Sequence, residues 1–152
     1  MRGIVQRVAS ASVTVDGEVI GAIDRGILLL LGIGHNDTVD DAAALGGKIT
    51  RLRIFPDDRG VPQVSLLDVG GSVLVISQFT IMGNTRKGNR PSFTEAAPAE
   101  LAEGLYDRFV GILTELLGAD RVATGQFGAD MKVTLTNDGP YTIVLDTAAT
   151  AP

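Results

Sequence analysis

The residues with the most chemistry to offer are Ser77-Gln78-Phe79-Thr80, which end the apolar run Ser72-Val73-Leu74-Val75-Ile76. A buried strand that stops in hydroxyl and amide side chains delivers polar groups from a rigid element to a surface, where ligand sites are usually built. With the main-chain N–H groups around them, Ser77, Gln78 and Thr80 could donate hydrogen bonds to a developing oxyanion, worth roughly 3 kcal/mol per donor. The plainer alternative is a strand that simply ends. No general base stands in the motif, and the chain's single histidine is His35, in the loop after Gly34. A Ser-His-Asp triad would need His35 to reach a nucleophile on another strand, and the chain has no nucleophile-elbow pattern. Such a site suits a substrate that is already activated and brings its own proton relay, such as an ester with a neighbouring hydroxyl.

Other chemistries are poorly provided for. The chain has no cysteine, which removes thiolate catalysis, disulfides and most structural zinc sites, and fits a reducing cytoplasm. One histidine leaves only carboxylates for a metal, and Asp57-Asp58 beside Gly60 lacks the spacing of a calcium loop. Gly32-Ile33-Gly34 has Asp37 where a dinucleotide loop needs its third glycine. Neither metal nor cofactor is expected. A net charge of −5 argues against a protein that coats nucleic acid. The local exception is Arg86-Lys87-Gly88-Asn89-Arg90, directly after the first motif, which is either a solvated loop or a basic contact surface. Met1-Arg2-Gly3 leads into alternating residues instead of a signal core, and the longest apolar run, Ile27 to Leu31, is too short to span a bilayer. A soluble, unexported protein is expected.

The positioning elements follow from periodicity. Met1 to Asp16 reads as extended, Asp16-Gly17 as a tight hairpin turn, and Glu18 to Ile23 as the returning strand. Asp24-Arg25-Gly26 turns into Ile27 to Ile33, whose lack of alternation predicts a strand covered on both faces. Thr38 and Asp41 form a capping box that starts a helix with an apolar stripe of Ala42, Leu45, Ile49 and Leu52. Within it, Gly46-Gly47 reads as a close helix-to-sheet approach. Phe55 to Leu67 is a turn-rich connection with a short strand, and Met82 to Ala97 a long irregular segment of the kind that is often functional. Pro98 at the first helical position, the stripe Leu101, Leu105, Phe109, Ile112 and Leu116, and Gly118 define a second helix. Val122 to Gln126 reads as a short strand and Phe127 to Met131 as a bend. Lys132 to Asn137 is a strand that Asp138-Gly139-Pro140 turns into Tyr141 to Asp146, before a tail from Thr147 expected to fray. At 152 residues the chain is most simply one domain, spanning 1–147 with 148–152 as tail.

Ser77-Gln78-Phe79-Thr80, Arg90-Pro91-Ser92-Phe93, Phe127-Gly128-Ala129-Asp130-Met131 and Asn137-Asp138-Gly139-Pro140-Tyr141-Thr142 together resemble the D-aminoacyl-tRNA deacylase (D-tyrosyl-tRNA(Tyr) deacylase) family in order, separation and total length. The resemblance covers essentially the whole chain. It implies a homodimer that cleaves the ester joining a D-amino acid to the 3′ end of tRNA, at an active site on the subunit interface. Ser77, Gln78, Phe79 and Thr80 would be the catalytic edge, Phe127 and Met131 would hold the terminal adenosine, and Asn137 and Thr142 would join them in substrate binding. Gly139 and Pro140, joined by a cis bond and inserted from the partner, would form a main-chain wall that rejects L side chains but not glycine, so glycyl-tRNA would also be attacked. Arg86, Lys87 and Arg90 are the candidates for tRNA contact. Ile81-Met82 and Tyr141 depart from the family pattern, at positions that bear on pocket shape.

The architecture expected is a strand-rich α/β (α+β) domain: a curved, mixed, largely antiparallel and barrel-like sheet with two main helices packed on it. Two other functional classes fit the same residues, a non-catalytic RNA-binding or dimerisation module and a small-molecule-binding domain.

Overall fold

Asp16 and Gly17 both take positive φ, 50° and 86°, the backbone a primed hairpin turn needs. They join β1 (Arg2–Val15) to β2 (Glu18–Ile23), and the chain continues into β3 (Gly26–Gly32). The computed structural model describes residues 1–150. After β3 come α1 (Val39–Arg51), the short ribbon β4 (Phe55–Pro56) and β5 (Pro62–Val64), β6 (Ser72–Ser77), α2 (Ala99–Leu117), β7 (Val122–Thr124), β8 (Lys132–Asp146) and α3 (Thr147–Thr150). The main sheet runs β2-β1-β3-β6-β7, with β8 also paired to β1. Pairs with β1 are antiparallel, whereas β3 with β6 and β6 with β7 are parallel. The expected mixed, barrel-like sheet carrying two main helices is therefore what forms. Gly21 on β2 closes the curve, because a Cβ there would fall 2.5 Å from the Thr124 carbonyl oxygen on β7.

The unalternating apolar strands are explained by two separate cores. Ile27, Leu29 and Leu31 of β3, with Val73 and Val75 of β6, face the helices, while Leu28, Leu74 and Ile76 face the inside of the curved sheet with Val8, Val13 and Ile23. β1 serves both cores. Its inward positions slip at Arg7–Val8, where the pairing with β8 is irregular, so Val5 faces the helices and Val13 the barrel interior.

Several expectations are corrected. A Cβ on Gly46 would meet Ile112 and Leu113 of α2, so that glycine admits a helix-to-helix contact, not a helix-to-sheet one. On α2 the buried stripe is Leu105, Tyr106, Phe109, Ile112, Leu113 and Leu117; Leu101 and Leu116 are 42% and 39% exposed. The core face is centred one position away from the expected stripe, on Tyr106 and Leu113, and the helix ends roll Leu101 and Leu116 outward. Pro98, with ψ 150°, caps α2 from outside instead of opening it. Thr147 is tied down: its N–H donates to the Met1 carbonyl (2.9 Å), and its hydroxyl accepts from the Met1 amino group (2.7 Å). Ala151 and Pro152, the end of the expected tail, lie outside the described residues.

The largest correction concerns Asp138-Gly139-Pro140, which does not reverse the chain. β8 stays antiparallel to β1 on both sides, pairing Asn137 with Val8 and Thr142 with Gln6, so the residues between bulge out of a continuing strand. The Gly139–Pro140 peptide in that bulge is cis. Arg7, only 7% exposed, holds it. Its guanidinium donates to the main-chain oxygens of Asp138 (2.9 Å) and Gly139 (3.1 Å) and to that of Ile54. It also pairs with the Asp138 carboxylate at 3.0 Å and lies 4.5 Å from the centre of the Tyr141 ring.

Replacing Arg7 with Ala strands these acceptors, and the expected cost is about 2–3 kcal/mol. Denaturant unfolding measures it, with amide exchange quickening most at 138–141; a lysine should recover little, since one ammonium cannot span the fork. At the other end of the fold, Thr38 accepts from the Asp41 N–H while Asp41 accepts from the Thr38 N–H, a complete capping box. Thr38→Ala should cost about 1 kcal/mol, read as a fall of about 3 °C in Tm.

Candidate active site

β3 and β6 end together, and their ends build the site. Leu31 is paired with Ser77, and the Gln78 N–H extends the ladder by donating to the Leu31 carbonyl (2.8 Å). Phe79–Met82 then coils into a 3₁₀ turn whose Ile81 and Met82 side chains lie over Gly32. A Cβ on Gly32 would approach Ile81 to 2.6 Å, so the turn can sit down on β3 only over a glycine.

Beside this edge is a cleft of about 460 Å³. Ser77, Gln78 and Phe79 form one side, Leu31 and Ile33 the floor, Ala97, Ala99 and Ala102 a shallow wall, and Phe127 to Met131 the far side. Its lining is mainly apolar with a polar rim, as ligand clefts usually are. The Phe127–Met131 loop reaches it because β7 pairs with β6 and the Gly125 N–H donates to the Val75 carbonyl (3.1 Å). Gly125 gives room to Met131, whose sulfur would otherwise lie 2.4 Å from a Cβ, and Gly128 turns the loop with φ 73°. Phe127 also packs on Tyr106 at 6.0 Å between ring centres. The Tyr106 hydroxyl donates to the Val75 carbonyl (2.9 Å), and burial, helped by the charge of Asp107, pushes its pKa up to about 12. It is thus a neutral prop beneath the cleft and not a base.

Thr80 does not line the cleft in its own chain. Its hydroxyl accepts from the Gln78 amide at 2.5 Å, and its carbonyl accepts from the Gly83 N–H at 3.0 Å. Among the described residues no base is bonded to it, and His35 Nε2 is bonded instead to the Thr94 carbonyl (2.9 Å). The turn's bonds run from Ile81 N–H to Gln78 O and from Gly83 N–H to Thr80 O, and the Phe79 and Thr80 N–H groups, with which such a turn opens, find no partner among the described residues.

Asn137, Thr142, Gly139 and Pro140 are brought together on β8 and do not line the cleft of their own chain. The Gln6 amide reaches both Asn137 Oδ1 (3.4 Å) and Thr142 Oγ1 (3.3 Å), so the two residues flank the bulge from its base. Arg86, Lys87 and Arg90 are exposed on the loop after the 3₁₀ turn. Arg86 alone of these borders a smaller polar cleft of about 210 Å³ that also contains Arg2, Asn84 and Glu95. The sequence reading missed Arg7, Tyr106 and the alanine wall. Arg7 had a signal, being a cation at an inward position of an alternating strand; the alanines had none, because their part is to be small.

The family model described as D-Tyr-tRNA(Tyr) deacylase matches residues 4–146. The D-aminoacyl-tRNA deacylase of Roseiflexus castenholzii is 56% identical over 148 residues, covering 97% of this chain and 93% of that one. That of Opitutus terrae is 54% identical over 149 residues, covering 98% and 99%. Among solved structures, the c-Myc DNA unwinding element binding protein superposes with a TM-score of 0.92 at 44% identity, over 96% of this chain and 98% of that one. A probable eukaryotic D-amino acid tRNA deacylase superposes at 0.85 with 18% identity over 95% and 97%, a likeness that bears on the fold alone. With the cleft, its motifs and all of the sheet but the first two residues of β1 inside the matched span, this chain belongs to the D-Tyr-tRNA(Tyr) deacylase family.

Proposed function

We propose that this chain hydrolyses the ester between a D-amino acid and the 3′ end of tRNA, in the cytoplasm, as a homodimer. The observation that carries the reading is the cleft itself: a largely apolar slot of nucleoside size, edged by Ser77 to Phe79 with Thr80 just beyond, where donors stand without a base, while Asp130, the carboxylate in the lining, lies on the far side and is paired with Lys132. The terminal adenosine lies in the slot against Phe127 and Met131, with the ester at the Ser77–Thr80 edge. Water adds to the ester carbonyl, and the oxyanion is met by the Phe79 and Thr80 N–H groups and the side-chain donors beside them. The bond from carbonyl carbon to the 3′ oxygen then breaks, and that oxygen takes a proton. The neighbouring 2′-hydroxyl relays the proton from the attacking water to the 3′ oxygen, so that the Ser77–Thr80 edge needs no base.

Selection comes from Gly139-Pro140 of the second subunit, which stands across the ester. Support for this is its position outside its own chain's cleft and the grip of Arg7, which fixes the Asp138 and Gly139 carbonyls before any substrate arrives. A main-chain wall facing the α-carbon rejects an L side chain by collision, is blind to the identity of a D side chain, and has nothing to strike in glycine. Glycyl-tRNA is therefore a second substrate. Asn137 and Thr142 hold the wall's base, and Arg86, Lys87 and Arg90 meet backbone phosphates.

Two outcomes test the reading. Thr80→Ala should retain activity within about tenfold, whereas a substrate lacking the terminal 2′-hydroxyl should be cleaved roughly a hundredfold more slowly or worse; the opposite ranking in single-turnover assays makes Thr80 a nucleophile. Matched D-, L- and glycyl-tRNA should be released, spared and released; binding of all three without release would identify a non-catalytic RNA-binding module.

A further inference from the structure

At the edge of the cleft, two aromatic rings stand in the open. Phe79 is 57% exposed and Phe93 37%, whereas Phe55 and Phe109 are completely buried. The two exposed rings pair edge to face, 5.2 Å between centres at 72°. That geometry is favourable for the pair but leaves ring faces to water. Phe93 is firmly held, because Asn84 and Ser92 exchange both main-chain hydrogen bonds (2.8 and 2.9 Å) at the base of the loop. Its ring also fits against Gly83, where a Cβ would lie 3.0 Å from Cε1. Arg86, Lys87 and Arg90 project from the same loop beyond that base. Phe79 lines the cleft mouth. A path out of the cleft therefore passes Phe79, then Phe93, then a cluster of cations.

Aromatic platforms beside cationic tracks are how proteins hold single-stranded nucleic acid without reading its sequence. We propose that the Phe79–Phe93 pair is a stacking site for the nucleobase immediately 5′ to the terminal adenosine, with the following backbone turned toward the basic loop. The proposal rests on the function proposed above and adds a second nucleotide subsite to it. Continuity with the cleft and the charge of the loop favour a nucleic-acid strand over a second copy of this acidic chain as the occupant. The site is indifferent to base identity, since every base has a stackable face.

The test compares D-aminoacyl-tRNA with D-aminoacyl-adenosine, which lacks the penultimate nucleotide. Phe93→Ala should lower kcat/KM on the tRNA about five- to a hundredfold and leave the short substrate unchanged, with Phe93→Trp restoring activity. Removing the penultimate base from the tRNA should cost the unchanged protein the same factor, and combining that abasic tRNA with Phe93→Ala should add nothing. This substrate-side arm decides the matter even if the variant folds badly. Equal losses on both substrates overturn the proposal, as does full activity on abasic tRNA. Dissociation of the Phe93→Ala protein in sedimentation, with base-independent losses, would assign the rings to a subunit contact and also overturn it. If the unchanged protein cleaves neither substrate, the proposed function fails instead. Affinity for a short RNA 3′ end, intact against abasic, then still tests the stacking, with equal affinities refuting it.

Discussion

The parallel pairing of β3 and β6 is the constraint on which the rest depends. At one end Gly26 faces Ser72 so closely that a Cβ would fall 1.9 Å from the Ser72 carbonyl oxygen. At the other end the Gln78 N–H closes the ladder on Leu31. Both faces of the pair are buried, so neither strand can slide without withdrawing side chains such as Leu28, Leu29, Leu74 and Val75 from two cores at once. Each such side chain contributes about 1.5–3 kcal/mol. Ser77 and the turn that follows are consequently placed with the rigidity of the core, although they stand at the surface.

Around that rigid edge the remaining parts are specialised. The alanine wall and the glycines at 32 and 125 make space, Gly128 turns the loop, and Tyr106 props the far side through Phe127. The polar bulge on β8 is set by a buried cation. Burying Arg7 is tolerable because main-chain oxygens, the Asp138 carboxylate and the face of Tyr141 replace its water. Such an arrangement adds little net stability compared with apolar packing. What it contributes is one defined direction for the carbonyls of Asp138 and Gly139.

Local signals were legible without coordinates. Asp16-Gly17 could only be a primed turn, and Thr38 with Asp41 could only be a cap, because in each case the interacting atoms lie within a few residues. Asp138-Gly139-Pro140 was misread for the same reason. Turn chemistry looks alike whether the chain reverses or bulges, and only β1, paired with β8 on both sides, decides between them. The buried stripe of α2 slipped by one position because Leu101 and Leu116 fit helical spacing as well as Tyr106 and Leu113 do, and only the neighbouring α1 selects the face.

The motif Ser77 to Thr80, its lack of a base and the basic loop after it were determined by the sequence alone, since they follow from residue types and short spacing. The cleft was not. Ser77, Ala97 and Met131 are distant along the chain, and only the parallel β3–β6–β7 pairing brings them around one space. Arg7's bonds to the bulge likewise depend on β1 lying against β8. Short-range hydrogen bonds are written in neighbouring residues; a cavity is the space left by long-range packing, and no single stretch of sequence contains it.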